Sequence, residues 1–499
     1  MAANPTMPVE TLEPVPVWRF FAELSAVPRP SKHEEKAQAY VRQTAAKFGF
    51  GVREDAAGNL VVDVPATPGC ENAPVTVLQG HLDMVCEKNA GTQHDFMKDP
   101  LRLRVETDEK SAQIVRADGT TLGADNGLGV ALAFAAATTP GVVHGPLEIL
   151  CTSDEEMGMT SAKALDPALL RGRRMINLDS EEDGAVYIGC AGGRDTSLTW
   201  DLKTAPLPTR AAACRVTVSG LRGGHSGCDI HLNRASALKL LTRVLREVDP
   251  QRLRLVEIAG GSKRNVIPRE ATAVVVGPPR IADTLSRAAA EIQAEAIAAG
   301  EATATIRVDS VPTTELPAAV GPGDTQHLLT ALTALPHGVL AIVPDIPGLV
   351  QTSNSTSTIE FSRPDGKLRV LIGCLSRSSA LPELRAVARQ LAAIGELAGA
   401  EVESGNEYPG WQPNVKSPLL ATCRRIYEQM FGAQPTVAAI HAGLECGLLG
   451  ERVGTGTMDM VSFGPHIVGA HSPDERVYVE SVQKIWKYLQ AVLAELARG

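Results

Sequence analysis

The sequence has no surplus of basic residues. Asp and Glu outnumber Lys and Arg by 57 to 48, for a formal net charge of -9. No positive field is available to attract a phosphate backbone, which excludes nucleic acid as the expected partner. Nor is there an apolar run of about 18 residues, the length a membrane-crossing helix needs. The N-terminus, MAANPTMPVETLEPVPVW, lacks a basic stretch followed by an apolar one. No membrane contact and a cytoplasmic location are therefore expected. The nine cysteines are odd in number, scattered and never spaced as CxxC, so they read as reduced thiols. No fixed-period repeat or charge block occurs.

What is present is an ordinary globular composition, 44% hydrophobic and 21% charged. A chain of 499 residues exceeds one ordinary domain and suggests about two or three. Apolar residues at helical spacing cover 17–48. Short runs rich in Val, Ile and Leu follow: NLVVDV, APVTVLQ, GPLEILCTS after an Ala-rich helix, and RRMINL. Gly, Pro or polar residues bound each run, which suits buried strands of an α/β sheet.

The residues just past these runs carry chemistry. APVTVLQ leads into Gly80-His81-Leu82-Asp83, GPLEILCTS into Asp154-Glu155-Glu156, and RRMINL into Asp179-Ser180-Glu181-Glu182. Ligands of open α/β sheets collect outside the carboxyl ends of strands, and three successive ends here deliver His or carboxylate groups to that edge. Glu181, Glu182 and Asp183 are read as a solvated acidic turn. Asp125, in TLGADNGLG, falls near a helix start, where capping is the plainer explanation. His471, in GAHSPDE, taken alone is a surface or capping residue. As a set, His81, Asp125, Glu156, Asp179 and His471 are mixed imidazole and carboxylate donors suited to two divalent ions, Zn²⁺, Mn²⁺ or Co²⁺, rather than to a Cys-based structural zinc. With Asp125 as a bridge, each ion would receive one His, one further carboxylate and a share of Asp125.

Seven segments, GHLDMVCEKN, TLGADNGLG, TSDEEMGM, INLDSEEDG, LRGGHSGCDIHLNRASA, IHAGLECG and AHSPDER, resemble in order the aminoacyl-histidine dipeptidases, also called Xaa-His or cytosol non-specific dipeptidases. That group sits among the two-metal peptidases that include carboxypeptidase G and tripeptidase. The resemblance implies that His81 and Asp179 bind one metal, Glu156 and His471 the other, that Asp125 bridges them, and that the peptide joining Asp125 to Asn126 is cis. It makes Asp83 the carboxylate that orients His81. Glu155 becomes the general base for a metal-bridging hydroxide that attacks the peptide bond of an unblocked dipeptide, Xaa-His substrates such as carnosine included. A homodimer is the family's habit.

The pattern changes near Gly193. Strand-like RVTVSG, TAVVV, TATIRV and KLRVLIGC alternate with helical SALKLLTRVL and LSRAAAEIQAEAIAAG. The expected fold is accordingly a discontinuous α/β catalytic domain, residues 1–192 and 406–499, with a mostly parallel sheet flanked by helices. An inserted α+β lid of ferredoxin-like units is expected over 193–405. The resemblance gives His225, in GGHSG, the role of stabilising the oxyanion, and makes Asn265 and Arg377 substrate contacts, Arg377 gripping a terminal carboxylate. Gly443, placed in the catalytic domain, would shape the substrate pocket. His231 and His441 receive no role; His94 and His144 are read as surface residues, and His466 as a weaker candidate than His471. Related deacylases or carboxypeptidases, and an inactive binding protein of the same fold, are the alternatives.

Overall fold

The computed structural model describes residues 7–498 apart from 345, 347 and 455. It divides into two compact units. The first comprises the chain up to Gly189, Trp411–Ala439 and Leu444–Gly499, and the second Cys190–Gly410 with Ile440–Gly443. These cuts fall at 189/190 and 410/411, and the short segment holding Gly443 joins the second unit rather than the first.

The first unit is built on an eight-stranded sheet ordered Gly51–Glu54, Leu60–Val64, Leu147–Thr152, Thr76–His81, Arg174–Asn177, Asp459–Ser462, Ala185–Cys190 and Thr436–Ile440. Its four central strands run parallel, and Thr76–His81 and Leu147–Thr152 are buried on both faces. Continuous apolar runs suit that position, because helices cover both faces of a parallel sheet. The expected mostly parallel sheet is in fact mixed. Gly51–Glu54 and Leu60–Val64 form an antiparallel hairpin, and Leu60–Val64 also pairs antiparallel with Leu147–Thr152. A connection as short as residues 55–59 can only reverse the chain.

The amphipathic stretch 17–48 forms two helices, Val15–Ser25 and Glu35–Lys47, broken where Pro28 and Pro30 interrupt the pattern. Val15–Ser25 buries Trp18, Phe20 and Phe21, each aromatic contributing about 1.5–3 kcal/mol by leaving water. Phe20 lies against Phe134 of the Ala-rich helix Ala124–Thr138, with ring centroids 5.8 Å apart. A separate four-stranded antiparallel sheet, Ile467–Val468, Arg476–Tyr478, Gln113–Ala117 and Leu103–Thr107, carries the 469–475 turn that presents His471.

The second unit is a ten-stranded antiparallel sheet. One half has spatial order Thr305–Val311, Ala212–Ser219, Ala271–Gly277, Arg254–Gly260. In chain order that is 4-1-3-2, with helices Ala237–Arg246 and Ile281–Ala298 in the crossovers, the ferredoxin-like βαββαβ arrangement. The other half repeats it: Glu401–Tyr408, Gly192–Ala205, Lys367–Ser378, Val350–Ser362 is again 4-1-3-2. The halves join at Gly260↔Ile359. One apolar cluster runs through both halves and includes Trp200, Leu241, Leu285 and Leu391.

Candidate metal centre

In the first unit the parallel strands end in register, so the residues that follow them meet at one sheet edge. His81 closes strand Thr76–His81 and is 1% exposed. Its Nε2 lies 3.0 Å from Asp125 Oδ1 and 3.4 Å from Asp179 Oδ1. His471 Nε2 lies 3.1 Å from Asp125 Oδ2 and 3.0 Å from Glu156 Oε2. Two three-residue groups result, His81–Asp125–Asp179 and Asp125–Glu156–His471, each with ligand atoms within 4.8 Å of one another. Asp125 is shared, one oxygen to each imidazole.

Asp83 fastens the first group. It accepts from the amides of Glu155 and Glu156 at 3.0 and 3.1 Å and from the Ser31 hydroxyl at 2.7 Å, while Oδ1 lies 3.3 Å from His81 Nδ1. One buried carboxylate thus fixes the imidazole and the backbone of both glutamates, as metal-binding histidines generally require. Glu155 belongs only to a third group, with His81 and Glu156. The Asp125-Asn126 peptide is cis. Asn126 donates to Leu178 O at 2.7 Å, and its amide oxygen occupies the space a side chain at Gly80 or Gly129 would need, which explains both glycines.

Burial and crowding set the charges here. Burial opposes ionisation of Asp83, but the imidazole of His81, the Ser31 hydroxyl and the Glu155 amide hold it down to about 2. Asp125 is likewise held below the usual carboxylate range against its burial by the two imidazoles. Burial, with the charges of Asp125 and Glu156, lifts Asp179 to about 7 despite His81. It also raises Glu155 well above normal, His81 opposing and Asp179, Glu445 and Glu156 adding to the rise. His471 is raised to about 11 by its bonds to Asp125 and Glu156. A cluster this rich in carboxylates needs positive charge. Protons on the imidazoles provide some, and divalent cations would displace them. Glu156 Oε1 is buried without a hydrogen-bond partner among the described residues, so the donor set fits metal ions.

Three residues of this edge escaped the sequence reading. Glu475 accepts from the amides of Leu122, Gly123, Ala124 and Asp125. Arg29 donates to the carbonyls of Leu82, Asp83 and Gly123. Glu445, wholly buried, accepts from Gln79 at 2.7 Å and Thr152 at 2.5 Å, and burial with neighbouring carboxylates lifts it to about 8. Glu445 and Glu475 lie inside quoted motifs, IHAGLECG and AHSPDER, which was the available signal. Glu181 is corrected: it is half-buried, and burial plus the charges of Asp125 and Asp179 push it up to about 8. His144 is corrected too, being 4% exposed and bonded to Gly145 O at 2.8 Å; His94 is half-buried. His466 stacks on Tyr478, 4.9 Å between centroids, and joins neither group.

The remaining candidates belong to the second unit. His225 ends the short strand Gly224–His225, which pairs with Val266–Ile267 beside Asn265. His225 Nδ1 accepts from the amides of Gly227 and Cys228 at 3.3 and 2.9 Å. Burial and the Arg377 charge lower this ring to about 4, so it is neutral with its proton on Nε2. That nitrogen faces Arg377 Nη2 at 3.5 Å. Both carry hydrogens, so neither satisfies the other. Asn265 is exposed, its carbonyl taking the Ser226 amide at 2.8 Å. His441 is buried, with Nε2 2.7 Å from Ser353 Oγ; Gly443 is half-buried in the turn before helix Glu445–Val453, and His231 is exposed.

The strand-end cluster and the ferredoxin-like unit both lie within residues 77–495, which match the model for peptidase family M20/M25/M40. The chain belongs to that family and is a hydrolase. Among its relatives, the cytosol non-specific dipeptidase of Escherichia coli (strain K12) is 40% identical over 492 residues, 97% of this chain and 98% of that protein. The crystal structure of aminoacylhistidine dipeptidase from Vibrio alginolyticus superposes with a TM-score of 0.87 at 41% identity, covering 98% of each chain. An aminopeptidase from Bacillus cereus, 16% identical with a TM-score of 0.56 over 97% of this chain and 99% of that one, shares the fold. Among the described residues no helix is long and apolar enough to cross a membrane.

Proposed function

We propose that this peptidase hydrolyses unblocked dipeptides, Xaa-His dipeptides among them, with the aid of two divalent metal ions. The observation that carries the reading is the pair of three-residue groups sharing Asp125. Similarity to a dipeptidase over nearly the whole of both chains supports the substrate class. His81, Asp179 and one oxygen of Asp125 would hold the first ion; Glu156, His471 and the other oxygen would hold the second. Zn²⁺ suits these donors, as do Mn²⁺ and Co²⁺. Such ions, when bound, polarise a carbonyl and make water a stronger acid.

The protein's own groups do the rest. Glu155, a member of the third group alone, takes a proton from the attacking water and returns it to the leaving amine. Asp83 keeps His81 oriented. In the second unit, His225 Nε2–H is the donor for an oxyanion, Arg377 the partner of the substrate carboxylate, and Asn265 and Gly443 are further substrate contacts. The name of the Escherichia coli relative supports a cytoplasmic setting.

The test is a panel of dipeptides, including Xaa-His, tripeptides and N-acyl amino acids, on chelator-stripped and metal-reconstituted protein. Dipeptides should be cleaved only after metal is restored. Cleavage of N-acyl amino acids instead, or full activity after stripping, overturns the proposal.

A further inference from the structure

Strand Glu401–Tyr408 pairs with Gly192–Ala205 regularly from Glu401↔Thr199 to Gly405↔Asp195, then shifts to Tyr408↔Gly193. The shift is a bulge of one residue. Within it Asn406 takes a φ of 50° and donates to Asp195 Oδ2 at 2.9 Å. A bulge re-aims the side chains beyond it, and a slip of one residue sends a side chain to the other face of a sheet. Tyr408 consequently lies over Gly193, where any Cβ would run into the phenol ring. On the far side of Gly193 in the same register is Arg377. Its Nη1 donates to the Tyr408 oxygen at 3.0 Å, leaving Nη2 toward His225 Nε2. Arg377 is 5% exposed, and its Nε has no hydrogen-bond partner among the described residues.

A bulge, a bare glycine and a hydrogen bond thus converge on one guanidinium. Packing alone would need only the ring. The hydroxyl adds two things: it accepts from Arg377, restricting how the guanidinium can turn, and it keeps its own proton to donate. From this arrangement we infer that Tyr408 is a positioning and specificity-determining residue, aiming Arg377 at a substrate carboxylate and favouring substrates in which that carboxylate is free. The inference rests on the proposed carboxylate-binding role of Arg377.

The experiment uses metal-loaded, full-length protein and a matched pair of substrates, one dipeptide with a free and one with an amidated C-terminus. Tyr408→Phe, Arg377→Ala and the double variant are compared. Tyr408→Phe should lower kcat/KM for the free dipeptide by about tenfold, mainly through KM, and change the amidated one by no more than about twofold. In the Arg377→Ala background the same substitution should add little. Equal losses on both substrates, or no loss on either, would make Tyr408 a packing residue and overturn the inference. If Arg377→Ala itself keeps the wild-type preference for the free dipeptide, the underlying reading of Arg377 fails instead. If Arg377→Ala abolishes that preference while Tyr408→Phe keeps it, Tyr408 alone is refuted.

Discussion

Replacing Glu475 by Gln is a sharp test of how the shared carboxylate is held. Glu475 is 2% exposed. Its Oε2 accepts from Leu122 and Gly123 at 2.7 and 3.0 Å, and its Oε1 from Ala124 and Asp125 at 2.8 and 3.4 Å. Four amides of one turn depend on two oxygens. Glutamine keeps one oxygen and turns an NH₂ toward the other pair, so two buried donors lose their acceptor. At about 1–3 kcal/mol for each stranded donor the variant should lose about 2–6 kcal/mol. At roughly 2–4 °C per kcal/mol for large domains, the melting temperature should drop by at least about 4 °C. The same turn carries Asp125, so metal affinity should also fall, by about 10–100-fold as for other residues that support ligands. Thermal melts of stripped and metal-loaded protein, with a competing chelator for affinity, read both quantities. Unchanged melting and unchanged affinity would refute the idea that Glu475 holds this turn.

Asp125→Ala removes the group common to both clusters and should abolish activity with most of the bound metal; two metals per chain by elemental analysis would sink the bridging assignment. Glu155→Gln keeps shape but cannot accept the proton, so turnover should fall at least about 100-fold at constant metal content. Metal loss there, with metal kept in Glu156→Gln, would mean the two neighbours have exchanged roles. In the second unit burial lowers His225 and His337 to about 4 and His441 to about 3, with the charges of Arg377 or Lys239 adding to it. Each folded value lies below the ordinary 6.5, so the unfolded chain binds more protons and stability falls as pH drops from about 6.5 toward 4. Neither ring nitrogen of His337 has a hydrogen-bond partner among the described residues, so His337→Leu should gain on wild type progressively through that window. A difference in melting temperature independent of pH would contradict this.

His81, Glu156 and Asp179 were legible from the sequence because parallel strands are short, apolar and punctuated, and the residue after each run is carried to the same edge. The alternation of the inserted unit was legible for a similar reason. His471 was not, since it sits on a turn of a small separate sheet and nothing local marks it; only the resemblance singled it out. Glu445 and Glu475 were missed because their partners lie 366 and 353 residues away in the chain. Glu181 was misjudged because local composition reports polarity, not what packs over it. The bulge at Asn406 had no signal beyond an Asn able to adopt positive φ.

The separation of Asp125 from His471, 346 residues along the chain, also has a meaning in time. His81, Asp125 and Asp179 leave the ribosome early and together. His471, with the Glu475 that holds the Asp125 turn, follows only after about 20–70 s at ordinary elongation rates. The residues of the first group are therefore made well before His471, but the Asp125 turn they share gains its acceptor only with Glu475. The complete donor set waits for the segment that carries His471.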